Sequence, residues 1–310
     1  MSVQTNWGVI YCPKVGVNSK DKRWQKIKNY LTAQGVSFDF VKSDGPASVE
    51  QLAAMFTQKK YQTIVVVGGD AALYNALNGI MALTDKVTDR PALGVIPNAY
   101  VNDFARYWGI DTSDYRKAVQ TLMHRRIRRI DVGTVLYGNG STKIKRYFLN
   151  CMNVGVVASI MSLHKRTKQI FGFRTLSYLA SAFLLVFQRM LFMLKMKVNT
   201  DCVSARVMNL CVGSARGYGM TPSAVPYNGQ LDVSMISHPE LTSLFQGLWL
   251  LFTSRFLGHK NVKSWRTRNV KIEELPNNVK VSIDGWVIGN AEGEIEVGIQ
   301  PESIDFIIPD

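Results

Sequence analysis

"VVVGGDAALYNALNGI", residues 65–80, sets three valines ahead of Gly68-Gly69-Asp70 and continues with Leu73, Leu77 and Ile80 at helical spacing. An unbroken apolar run closed by glycine is what a strand buried on both faces of a parallel sheet looks like. Strand, glycine turn and helix in succession can present backbone N–H groups to an anion. Taken alone, a Gly-Gly-Asp turn is also an ordinary tight connection, so its neighbours must decide.

Outward from it, the same rhythm repeats. "WGVIYCP" reads as an opening strand ended by Pro13, and 20–34 as a helix stopped by Gly35. "VSFDFVKS" alternates like a strand, and "SVEQLAAMFTQKK" is a helix with Ser48 as its expected capping residue. "ALGVIP" is another short buried strand, and "SDYRKAVQTLMHRR" is a helix. Alternating strands and helices predict a parallel α/β domain over 1–130, with ligands at the carboxyl ends of its strands. After "RRIRRIDVGTV" the pattern becomes β-rich with frequent turn signals. The expectation for 131–310 is a largely antiparallel second domain, with the last residues returning to the first.

Composition fits a folded chain of two domains: 310 residues, 46% hydrophobic and 19% charged. Net charge is +14, which favours anionic partners such as nucleotide phosphates or an acidic membrane surface. There is no RNP, KH or zinc signature to support nucleic acid. The four cysteines, Cys12, Cys151, Cys202 and Cys211, are far apart and form no CxxC, so neither a disulfide framework nor a zinc site is expected. A reducing cytoplasm fits them. The opening "MSVQTNWGVIYCPK" lacks a basic segment followed by an apolar run, so no signal peptide is expected. "TLSYLASAFLLVFQ" (175–188) and "LTSLFQGLWLLFTS" (241–254) fall short of the roughly 20 apolar residues of a spanning helix. They read as core helices or as helices that touch a membrane face, since each has a basic flank. The cluster "HRRIRR", 124–129, is either a steering patch for phosphate or a solvated helix end.

The decisive neighbour is "GVIPNAYVNDFARYWGI", residues 94–110. Pro97 ends its strand, Asn102 is placed to cap the following helix, and Asp103 sits in that helix's first turn. With both stretches in view, the chain resembles the diacylglycerol kinase catalytic-domain superfamily, in particular the soluble bacterial lipid kinases, with sphingosine kinases as relatives. Gly68, Gly69, Asp70, Asn78 and Gly79 match the family's GGDGT…NG motif. Pro97 and Asn102 to Arg106 match PxGTxNDFAR. "FLNCMNVGVVASI", "NGQLDVSMI" and "VSIDGWVIG" follow in the family's order.

The resemblance implies a phosphofructokinase-like nucleotide domain, a β-rich lipid domain, and transfer of phosphate from ATP with Mg²⁺ to a lipid hydroxyl. Phosphoryl transfer needs positioning, charge neutralisation and a base in reach. On that analogy Asp284 is the general base. Gly68, Gly69, Asp70, Ala71 and Ala72 form the phosphate loop, with Tyr100, Asn102 and Asp103 supporting the nucleotide. Lipid, nucleotide and an anionic membrane surface are the implied partners, a homodimer is compatible, and the implied location is peripheral, at the inner membrane face.

Several positions depart from the pattern. Ala71 and Ala72 stand for Gly-Thr, which removes a hydroxyl and, as expected from sequence, a residue free to take positive φ. Asn75 stands for a glutamate, and Ala99-Tyr100-Val101 for the second glycine-rich run. Trp286 replaces the glutamate of DGE, and Asn228 the aspartate of the family's structural metal segment, so no resident metal site is expected. Cys12 stands where the family has asparagine. These changes leave a second reading open beside the kinase: a catalytically silent relative that binds lipid or nucleotide.

Overall fold

The computed structural model describes residues 6–13, 22–99, 102–139, 141–162, 191–237, 256–258, 260–288 and 292–310. Both long apolar stretches and Tyr100 lie outside them, as do His164, His238 and His259, whose spacing in sequence suits no metal site. The chain divides into two compact units, 1–131 with 301–310, and 132–300.

In the first unit the elements run β1 (Trp7–Tyr11), α1 (Lys22–Ala33), β2 (Phe38–Lys42), α2 (Val49–Gln58), β3 (Thr63–Gly68), α3 (Asp70–Met81), β4 (Ala92–Pro97), α4 (Asp103–Tyr107) and α5 (Tyr115–His124). The chain leaves along β5 (Ile127–Asn139) and returns on the last residues of β15 (Glu292–Ile307). Strand order is β2-β1-β3-β4-β15, all parallel, with Phe306 of β15 opposite Leu93. Every residue of β3 and β4 is buried, as their apolar runs demand. Burying a Val, Ile or Leu fully is worth roughly 1.5–3 kcal/mol, so Ile64 to Val67 and Leu93 to Ile96 anchor the unit.

This order has a consequence for ligands. The chain moves outward from β1 to β2, then crosses back to β3 on β1's other side. The carboxyl ends of β1 and β3 therefore flank the switch point where doubly wound folds take their ligands. Gly68 closes β3 there.

Helix α2 packs on α3, and Gly79 is what permits the approach. A Cβ at Gly79 would fall on the carbonyl oxygen of Glu50 and 3.1 Å from the Ala53 Cβ. Ser48 does not cap α2 as its type suggests. Its backbone is already helical, and its hydroxyl donates to Gly45 O and accepts from Asp44 N, behind the helix rather than ahead of it.

The second unit is antiparallel. The remainder of β5 pairs with β6 (Thr142–Phe148). Next come β7 (Cys151–Gly155), β8 (Phe192–Val198), β9 (Asp201–Gly213), β10 (Leu231–Ser237), β11 (Val262–Thr267), β12 (Asn269–Glu274), β13 (Val281–Ile283) and β14 (Trp286–Val287). The long β9 pairs with β7, β8 and β10, and β12 joins β8 to β15. β8 shows why these residues form strands: its burial alternates strictly, with Leu194 and Met196 inward and Lys195 and Lys197 outward. Among the described residues no helix is long and apolar enough to cross a membrane.

Candidate functional site

The two motifs of the first unit meet at the ends of β3 and β4. Helix α3 begins at Asp70, with Gly69 as N-cap in extended conformation. The first N–H groups to bond back are those of Ala72 and Leu73, both to Gly69 O at 2.9 and 3.0 Å. The N–H groups of Gly69 and Ala71 precede them, at the positive end of a twelve-residue helix.

Asp70 turns away from this helix end. Its carboxylate accepts the backbone N–H of Asp103 at 2.8 Å and of Phe104 at 3.3 Å. Asp70 therefore caps α4, in place of Asn102, whose Nδ2 instead donates to Ala99 O at 2.6 Å. The cap of α4 thus comes from 33 positions earlier in the sequence.

Ala71 and Ala72 also read differently in place. Both lie in the first turn of α3, where φ is negative and alanine is the favoured residue. Ala71 therefore strains nothing. Ala72 is buried, with its methyl 2.8 Å from where a Cβ on Gly68 would stand. The hydroxyl that threonine would bring is the real loss. Asn75, in the glutamate's place, spends its amide on Ala71 O at 2.7 Å.

Three strand ends are laced together beside this helix start. Cys12 N donates to Val67 O at 2.9 Å, and Asn98 N donates to Gly68 O at 2.7 Å. From α1, Arg23 reaches the carbonyl of Pro97 at 3.2 Å, bringing a guanidinium to the end of β4. The sequence reading found neither Arg23 nor Asn98. Arg23 lies in a polar helix turn without a motif, and Asn98 occupies a position that PxGT leaves unspecified.

Burial pushes the Cys12 thiol above its ordinary range, with a Ser43 hydrogen bond opposing in part. Cys151 and Cys211 are buried and Cys202 is exposed. Reactivity follows thiolate and access. Maleimide at neutral pH is expected to modify Cys202 alone in the native protein and all four cysteines after denaturation, as counted by intact mass. Rapid native modification at Cys12 would contradict the buried end of β1.

The "HRRIRR" cluster works on the returning chain. His124 meets Asp310 at 2.9 Å, Arg129 meets Asp305 at 2.9 Å, Arg125 donates to Thr63 Oγ1, and Arg126 O accepts from Ile308 N. A pocket of about 800 Å³ lies here, lined by Lys60, Asp89, Arg90, Arg125 and Asp305 among others. It is at the amino ends of β3 and β4, away from both motifs.

In the second unit Asp284 and Gly285 form a two-residue turn between Ile283 and Trp286, both with positive φ, 46° and 78°. That is the Asp-Gly hairpin geometry. Asp284 is buried, and its carboxylate accepts three backbone N–H groups. Leu149 N reaches Oδ2 at 2.7 Å, while Asn150 N and Cys151 N reach Oδ1 at 2.9 and 2.8 Å. The acid thus ties the start of β7 to the turn. Asn228 Oδ1 accepts from Gln230 N, and Asp232 is held by Arg266 through both oxygens, at 2.7 and 3.2 Å. With Trp286 offering no side-chain oxygen and Asp232 engaged by Arg266, this set of side chains does not fit a resident divalent cation.

A parallel unit with a helix start at its switch point, followed by an antiparallel unit, recurs in solved structures. A diacylglycerol kinase from Bacillus anthracis str. Sterne superposes with TM-score 0.73 at 17% identity, over 99% of this chain and 97% of that one. Yeast NADH kinase complexed with NADH gives 0.55 at 9%, over 99% and 84%. At these identities the likeness is one of fold. In sequence, residues 6–135 match the diacylglycerol kinase catalytic domain, and residues 150–308 match the YegS C-terminal NAD kinase beta sandwich-like domain. The diacylglycerol kinase of Bacillus subtilis (strain 168) is 22% identical over 92% of this chain and 91% of its own. That of Mycobacterium tuberculosis (strain ATCC 25618 / H37Rv) is 25% identical over 78% and 77%. The chain belongs to the diacylglycerol kinase family.

Proposed function

We propose that the protein transfers the terminal phosphoryl group of ATP to a hydroxyl of a diacylglycerol-like lipid at an anionic membrane surface. The observation that carries this reading is the start of α3, whose N–H groups stand at the switch point with their acidic neighbour turned aside. Such a helix end suits phosphate.

ATP fits the residues present. The N–H groups of Gly69 and Ala71 and the Arg23 guanidinium would hold its phosphates, Asp70 and Asp103 would keep α4 in place, and Asn102 would face the nucleotide. Tyr100 joins this set on sequence grounds alone. Bound ATP supplies the phosphoryl group and its leaving group. Gly68 and Ala72 shape the turn rather than touch phosphate. In the second unit, Asp284 would take the proton of the lipid hydroxyl. No step is assigned to a protein-held metal, because the candidate donors do not fit one.

Purified protein with MgATP is expected to label diacylglycerol in mixed vesicles, to bind anionic vesicles less tightly as salt rises, and to melt at higher temperature with ATP. Nucleotide binding without transfer to any lipid in a panel would mark a silent binding protein. If ATP also leaves the melting temperature unmoved, the kinase reading fails.

A further inference from the structure

We infer that Asn98 is a specificity-determining residue that recognises the nucleoside part of the ligand by accepting a hydrogen bond from it. Asn98 is 4% exposed and sits where the ends of β1, β3 and β4 converge. Its backbone N–H is committed to Gly68 O, and its Nδ2 points toward Cys12 O at 3.5 Å. That orientation sends Oδ1 the other way, and among the described residues no donor reaches it. Asn102 repeats the arrangement four residues on: 2% exposed, Nδ2 fixed on Ala99 O, Oδ1 without a donor among the described residues. Buried polar atoms in native folds are nearly always paired, so two unpaired acceptors four positions apart require an account.

The chemistry of the two groups narrows the ligand. The α3 N–H groups and Arg23 are donors and match phosphate oxygens, which only accept. An amide oxygen cannot bond an unprotonated phosphate, because both would be acceptors. It needs an N–H or O–H, which a nucleotide carries on its sugar hydroxyls or its exocyclic amine. A ligand with phosphate at one end and such a donor at the other satisfies both sets. Asn98 also stands beside Cys12, where the resembling family places an asparagine in "NPxxG". The amide lost from the end of β1 is restored from the end of β4.

This inference rests on the reading of the first unit as the nucleotide half, and the test separates the two. Calorimetric titration of the full chain with ATP and with inorganic tripolyphosphate would be run on the wild type and on Asn98→Ala. The expected result is about a tenfold loss of ATP affinity with tripolyphosphate affinity unchanged, the effect of one hydrogen bond to a neutral acceptor. A loosened fold would weaken both ligands alike, and that outcome, or an unchanged ATP affinity, overturns the inference. Inosine triphosphate and 2′,3′-dideoxy-ATP then identify the donor: whichever binds the wild type as weakly as ATP binds Asn98→Ala lacks the group that Asn98 accepts. If the wild type binds neither ATP nor tripolyphosphate, the nucleotide reading falls and this inference with it.

Discussion

Replacing Asp284 by asparagine is expected to lower the melting temperature by about 10 °C and to reduce phosphoryl transfer by at least about a hundredfold. The backbone itself should tolerate the change, because asparagine accepts the positive φ of 46° that the turn imposes. The side chain does not substitute. Two oxygens now accept three N–H groups, from Leu149, Asn150 and Cys151. An amide offers one oxygen, and its NH₂ would face a backbone donor. A hydrogen bond to a charged group is worth about 1.5–3 kcal/mol, so losing the charge and one or two partners costs about 3 kcal/mol. In a unit the size of 132–300 each kcal/mol moves the midpoint by roughly 2–4 °C. The transfer loss has a separate origin, since an amide cannot take a proton from the lipid hydroxyl. ATP binding should survive, because the α3 start belongs to the first unit. Calorimetric melting, nucleotide titration and a lipid-labelling assay on the same variant would separate these effects. An unchanged midpoint would contradict the three-bond clamp, and unchanged turnover would remove Asp284 as the base.

What could be read from sequence was set by range. The parallel sheet was legible because "IVVVGG" and "ALGVIP" are apolar runs closed by glycine and proline, and such patterning is a local signal. The β-rich character of the second unit was legible for the same reason, though its order was not: β9 lies between β7 and β8 through pairings that no local pattern encodes. The caps failed in an instructive way. Ser48 and Asn102 have capping side chains in capping positions, yet neither bonds forward, because Ser48 is already helical and Asn102 is drawn to Ala99. The true cap of α4 comes from Asp70, and only the tertiary structure reveals it. The same holds for the glycine expected at Ala71. Its need depended on where α3 starts, and a helix that begins at Asp70 makes alanine the better residue. Arg23 and Asn98 carried no signal, since each matters only through strand ends brought together in space.

Gly79→Val is expected to be the most damaging single change in the first unit, costing about 4 kcal/mol or more and leaving little folded protein. Propensity alone predicts the opposite direction for its smaller relative. In an exposed helix interior, Gly→Ala stabilises by about 1 kcal/mol. Gly79 is not exposed: a Cβ there would land on the Glu50 carbonyl oxygen, with the carbonyl carbon 3.0 Å away. That oxygen belongs to the backbone of α2 and cannot rotate aside as a side chain could. The helices must separate, which opens the apolar contact between them and loses dispersion along its length. Gly79→Ala should therefore lower the melting temperature by several degrees, and valine, with two methyls on a stiff Cβ, should exceed what the unit tolerates. Because α3 carries the Gly69 and Ala71 N–H groups at its other end, the alanine variant should also bind ATP more weakly. Both measurements turn on sign. If Gly79→Ala melts higher than the wild type, the close crossing of α2 and α3 is wrong. If it melts lower yet binds ATP unchanged, the helix start holds its place independently of the crossing, and Gly79 has no part in setting the phosphate loop.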